Sequence, residues 1–187
     1  MVGPFLWSRK ILHVDVLAMT HAHPDHSGGL AYLLAHFHPR EFWWTGVPGH
    51  GIEWDRLEAA LAASGARVRL LAAGADVGDG VTVVHPPAGW GDPSLNDSSL
   101  TLLLGPEPRV LLTGDLEARG EAAALATALF LVDVGWWVHA RLRPTPRVTF
   151  LDVGQGDAAV VERPDGTVMV VGMCVCHRQH VDVQDLP

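Results

Sequence analysis

Three imidazoles and one carboxylate fall within six residues, His21 to His26, of the stretch LAMTHAHPDHSGGLAYLL, and apolar runs flank them on both sides. A packed core cannot take such groups unpartnered, because each buried imidazole or carboxylate loses its hydration. The chain must therefore bring the end of one apolar element to a place where these side chains meet each other or a ligand. ILHVDVLAMT is β-branched and apolar, which predicts a buried strand over Ile11–Thr20. SGGLAYLLAHF then predicts a helix with Leu30, Leu33, Leu34 and Phe37 along one face. At a strand end, His21 and His23 sit two apart and point the same way, so both can reach one cation. Asp25 and His26 lie in the turn that opens the helix, where they can serve a second cation. Ser27-Gly28-Gly29 lets the backbone turn tightly there. Neutral imidazole and carboxylate suit zinc and related first-row ions.

The rest of the chain alternates in the same way. Strands are predicted at Glu41–Thr45, in ARVRLLAAG and in DGVTVVHPP, the last halted by Pro86 and Pro87. WDRLEAALAASG predicts a helix with Leu57 and Leu61 inward and Gly65 as its stop. SLTLLLGPEPRVLLTGD reads as a hairpin, and RVTFLDVGQGDAAVVERPDGTVMVVG as three strands with turns at GQGD and RPDG. The fold class is thus α/β, with mixed sheets and helices outside. With 187 residues and 48% hydrophobic content, one sizeable core is expected and disorder is not.

Four segments follow: a core over 1–121, an apolar helix and linker over 122–146, a β-hairpin segment over 147–172 and a polar tail over 173–187. The apolar stretch Ala122–Val138 has Asp133 inside it and is marginal for a bilayer, which needs roughly 20 residues. Trp136, Trp137, Arg141 and Arg143 would suit a membrane boundary. The alternative is an amphipathic helix covering a sheet face.

Thirteen basic against 21 acidic residues give a net charge of −8, and Lys10 is the only lysine. No basic stripe is visible, which excludes a binder that holds nucleic acid mainly by neutralising phosphates. Contact with a polyanion would have to run through bound cations or a partner. Cys174 and Cys176 are too close for an unstrained disulfide, and the opening residues lack the basic region and cleavage site of a secretory signal.

The pattern His21-x-His23-x-Asp25-His26 after a strand resembles the signature of the metallo-β-lactamase superfamily, mostly two-metal hydrolases with an αββα sandwich. LLTGDLE resembles that superfamily's later Gly-Asp strand, which implies that Asp115 bridges both metals. The closer resemblance is to the hydrolase domain of the ComEC family of DNA-uptake proteins, carried by TFLDVGQGDAAVV, THAHPDHSGGL, NDSSLTLLL and LLTGDLE. It implies two divalent ions, zinc or manganese, with His21 and His23 on one, Asp25 and His26 on the other, and Asp115 between. It also implies single-stranded DNA as substrate in bacterial competence, with Asp25 and Asp115 as the catalytic carboxylates. Full-length members are placed at the inner membrane, whereas this chain could be soluble. Asn96 and Ser98 fall where other superfamily members carry a metal-binding histidine, and would orient substrate or water or simply close a turn.

The sequence departs from that family in two ways. DVGQGD comes last instead of first, an order that a circular permutation, a fragment or a misjoined gene would give. The later His-His-Gly-Ser stretch is missing, and VMVVGM offers Val170 or Val171 where the family carries an aspartate. His85, His139, His177 or His180 could compensate, although no spacing selects one. CVCHRQH lacks the spacing of a structural zinc site, and Trp43 and Trp44 suit strand packing better than base stacking.

The expected function is a metal-dependent DNA phosphodiesterase. The alternatives are a non-catalytic relative with an incomplete site, or a hydrolase of another ester or amide. A missing half would leave strand edges exposed and favour a homodimer.

Overall fold

The computed structural model describes residues 2–78, 80–91, 94–105, 110–127, 146–152, 157–163 and 165–172. Helix α1 (Val2–Ser8) precedes strand β1 (Val16–Ala18), the one-turn helix α2 (Pro24–Ser27) and α3 (Leu30–Phe37). Strand β2 (Glu41–Trp44), helix α4 (Ile52–Ser64) and strand β3 (Arg67–Leu70) follow. Strands β4 (Val81–His85), β5 (Thr101–Leu104) and β6 (Val110–Leu112) come next, with a 3-10 turn at Asn96–Ser98. Helix α5 (118–127) and strands β7 (Arg147–Asp152), β8 (Asp157–Glu162) and β9 (Val168–Val171) complete the described elements.

The strands form two sheets, one of six in the order β3-β2-β1-β9-β8-β7 and one of three in the order β4-β5-β6. Strand β1 is parallel to β2 on one side and to β9 on the other, with Leu17 opposite Phe42 and Val170. The last described strand is therefore a neighbour of the first, and the hairpin segment belongs to the same sheet as the histidine-bearing strand.

Side-chain alternation on the six-stranded sheet explains why its inner strands are apolar on both faces. Leu17, Phe42, Val160 and Val170 pack beneath Leu30, Leu33, Leu34, Phe37 and Leu57 of α3 and α4. Ala18, Trp43, Val161 and Met169, one residue along, turn to the other face and meet Leu100, Leu102 and Leu104. The sequence reading of α3 and its apolar face agrees with this arrangement, and α4 stops at Gly65 in a left-handed conformation.

Two expectations change. The strand predicted over Ile11–Thr20 is confined to Val16–Ala18, and Leu12 is 62% exposed. Asp15 draws its neighbours into a polar junction instead: its carboxylate accepts the Val168 N–H and its carbonyl accepts those of Arg40 and Glu41. The opening residues form a helix whose Val2 and Leu6 enter the core, although no helix was read there. No helix among the described residues is long and apolar enough to cross a membrane. Most of Ala122–Val138, the GQGD turn, His139, both cysteines, His177 and His180 lie outside the described residues.

Leu17 and Leu102 are fully buried, one on each side of the larger sheet. Leu17→Ala or Leu102→Ala should each cost about 2–5 kcal/mol. Chemical denaturation should show each loss as a single shifted transition, since one sheet is shared by both cores.

Candidate metal centre

The parallel strand β1 ends at Ala18, and the chain then runs through Thr20, His21 and His23 into α2. His23 is the backbone cap of that turn: its carbonyl accepts the N–H groups of His26 and Ser27, and Pro24 fits the first helical position. This single turn folds His26 back towards His21, with ring centroids 4.2 Å apart. Asp115 arrives from the other sheet, three residues beyond β6. Its Oδ2 lies 3.0 Å from His26 Nε2. One ligand atom each from His21, His26 and Asp115 lie within 4.8 Å of one another.

His23 and Asp25 border this trio. His23 Nδ1 is 3.0 Å from His21 Nε2, and Asp25 Oδ2 is 3.7 Å from His26 Nε2. Asp25 is about half exposed, whereas His21 and His26 are buried. Burial, followed by the nearby charges of His26 and His23, pushes the His21 pKa down to about 3. At neutral pH that ring is uncharged and offers a lone pair.

The donor set fits a first-row divalent ion. Two ligands on such an ion, each bonded at about 2 Å, sit roughly 3 to 4 Å apart, and the His26–Asp115 separation of 3.0 Å falls in that range. Imidazole nitrogen and carboxylate oxygen are also the donors that zinc prefers.

The residues that hold these donors were missed by sequence reasoning. Within NDSS, Ser99 makes the contact between the two halves, and Asp97 holds the loop that follows β6. Ser99 Oγ and Thr20 Oγ1 each lie 3.3 Å from His21 Nδ1, which leaves Nε2 to face the cluster. Asp97, 3% exposed, accepts the N–H groups of Glu117 and Gly120 on Oδ1, both at 2.9 Å. It thereby caps α5 and fixes the loop that carries Asp115. Asn96 Nδ2 donates to Glu117 Oε1, and Ser98 Oγ donates to the Ser94 carbonyl. The signal for Asp97 was available in principle, as an aspartate matched to a later helix start, but nothing local in the sequence pairs them.

His85 is not at the centre. It is fully buried with Nε2 2.8 Å from the Asp97 carbonyl, and burial lowers its pKa. It braces the segment that holds Asp115 and does not supply a replacement ligand. Val171, at the end of β9, is buried and carries no donor.

Gly114 is the fixed point of the Thr-Gly-Asp turn. It has φ +60°, and a Cβ there would meet Ser99 and Thr20 at 3.0 Å. Those are the two residues that hold His21, so both halves of the centre close on one glycine.

The two sheets thus bring two imidazoles and a carboxylate together as a candidate metal site. The family model of the metallo-beta-lactamase superfamily matches residues 3–149, and the chain belongs to that superfamily. Its members are generally hydrolytic and bind divalent metals, often zinc. No curated protein matches the chain significantly.

Asp97→Ala leaves two backbone N–H groups without their acceptor and removes a cap, so stability should fall by about 2 kcal/mol. Asp97→Asn keeps an acceptor and should recover much of that loss in thermal or urea unfolding. Gly114→Ala should lose about 1–3 kcal/mol from its left-handed backbone and crowded Cβ.

Proposed function

We propose that this chain is a ComEC-type hydrolase that cleaves phosphodiester bonds of single-stranded DNA. The observation that carries the hydrolytic part is the convergence of His21, His26 and Asp115, donated by two different sheets, on one small volume. The substrate rests on the resemblance of DVGQGD and NDSSLTLLL to the DNA-uptake family.

His21 and His23 would hold one divalent ion and Asp25 and His26 a second, with Asp115 between them. Such a pair supplies Lewis acidity towards a phosphoryl oxygen and acidifies water at neutral pH. Ser99 and Thr20 keep the His21 ring oriented, and Asp97 keeps the Asp115 loop at a fixed distance from it. Bound cations also make an acidic chain of net charge −8 compatible with a polyanionic substrate.

A second reading is favoured by β9, which offers Val170 or Val171 where the resemblance implies an aspartate. On that reading the chain keeps the sandwich and lacks a competent centre.

Protein reconstituted with manganese or zinc should cleave a single-stranded oligonucleotide, and a chelator should stop it. His26→Ala or Asp115→Ala should slow cleavage at least about 100-fold, beyond what loss of a merely supporting residue gives. Activity that survives His23→Ala combined with Asp25→Ala would contradict the two-ion mechanism. Absence of cleavage in the metal-loaded parent would favour the non-catalytic reading.

A further inference from the structure

A cavity of about 110 Å³ opens beside the metal centre, with Thr20, His26 and Asp115 on one wall. Its remaining walls are mainly apolar. Leu111 comes from β6, and Phe150, Ala159 and Val171 come from the three strands of the hairpin segment. Leu111 is 45% and Phe150 62% exposed, so two large apolar side chains stand in solvent next to a cluster of ligating groups. Apolar surface left open beside a polar site marks a place that a ligand covers.

Resting on the phosphodiesterase reading above, we infer that this cavity receives the base of the nucleotide next to the scissile phosphate, with Phe150 as its stacking platform. Two features favour a base as the occupant. The first is the charge balance: with 13 basic against 21 acidic residues, affinity for a nucleic acid cannot come from a row of phosphate contacts. It has to come from the cations and from base surface. The second is the open ring of Phe150 on β7, since every base has a face that stacks on an aromatic side chain without reading its identity. A phosphate held at His26 and Asp115 would leave the adjoining base within the same cavity that those residues line. Cleavage should therefore be tolerant of sequence but dependent on the base being present.

The test uses the full, metal-loaded chain, a fluorescent single-stranded oligonucleotide, and the same oligonucleotide with an abasic site at the position of cutting. Phe150→Ala should raise KM about ten-fold with little change in kcat, and metal content should stay at the parent level. Phe150→Trp should restore KM, which excludes a folding defect. The abasic substrate should be poor for the parent and no poorer for Phe150→Ala. Anisotropy titrations at rising salt should give a shallow dependence, with a slope no steeper than about −1.5. Cleavage that proceeds equally well with Phe150→Ala, or on the abasic strand, overturns the pocket while leaving the phosphodiesterase reading in place. Base-dependent binding without cleavage overturns the phosphodiesterase and keeps the pocket. Neither binding nor cleavage overturns both.

Discussion

The contact between His26 and Asp115 joins two sheets that share no strand, and the function proposed for this chain depends on it. Neither partner holds itself in place. His26 is returned to the cluster by a single helical turn capped at the His23 carbonyl, while Asp115 sits on a loop pinned by the buried carboxylate of Asp97. Three crowded imidazoles repel one another once protonated, and burial of His21 keeps that ring neutral. The fold thus gathers the donors that a cation needs, at the carboxyl end of parallel strands where open α/β sheets commonly place their sites.

The strand-turn-helix unit around the histidines could be read from the sequence because its determinants are local. The Leu30, Leu33, Leu34 and Phe37 spacing acts within a few residues of itself, as does the Gly65 stop of α4. The length of β1 could not be read that way. Asp15 is withdrawn from the strand by Arg40, Glu41 and Val168, which come from distant positions. Helix α1 is hidden for the same reason, since its buried Val2 and Leu6 have meaning only beneath a sheet formed later in the chain.

The site shows the same division. The pattern singles out four ligand-type residues and the Gly-Asp turn adds Asp115, and of these five the structure groups His21, His26 and Asp115. In the NDSS segment the sequence singles out Asn96 and Ser98 as groups that would orient substrate or water or close a turn, and the structure adds bracing contacts from Asp97 and Ser99. Gly114 and Gly120 lie close against this segment, where an added Cβ would meet Ser99 at 3.0 Å and Asp97 Oδ1 at 2.7 Å respectively, contacts that no local pattern reveals. His85 was a candidate ligand by residue type alone, and its role as a brace follows from burial that no local pattern reveals.

The hairpin segment at the end of the chain shapes what can approach the centre. Its β9 lies against β1, and its apolar side chains line the cavity that His26 and Asp115 share. The grouping of His21, His26 and Asp115 as a cation site is tested most directly by titrating the metal-free protein with cobalt. Visible absorption and bound metal should be followed together. At least one equivalent of tightly bound ion in the parent, falling well below one in Asp115→Ala while the fold is retained, is the result expected. Less than one equivalent in the parent, or equal binding by Asp115→Ala, would contradict it.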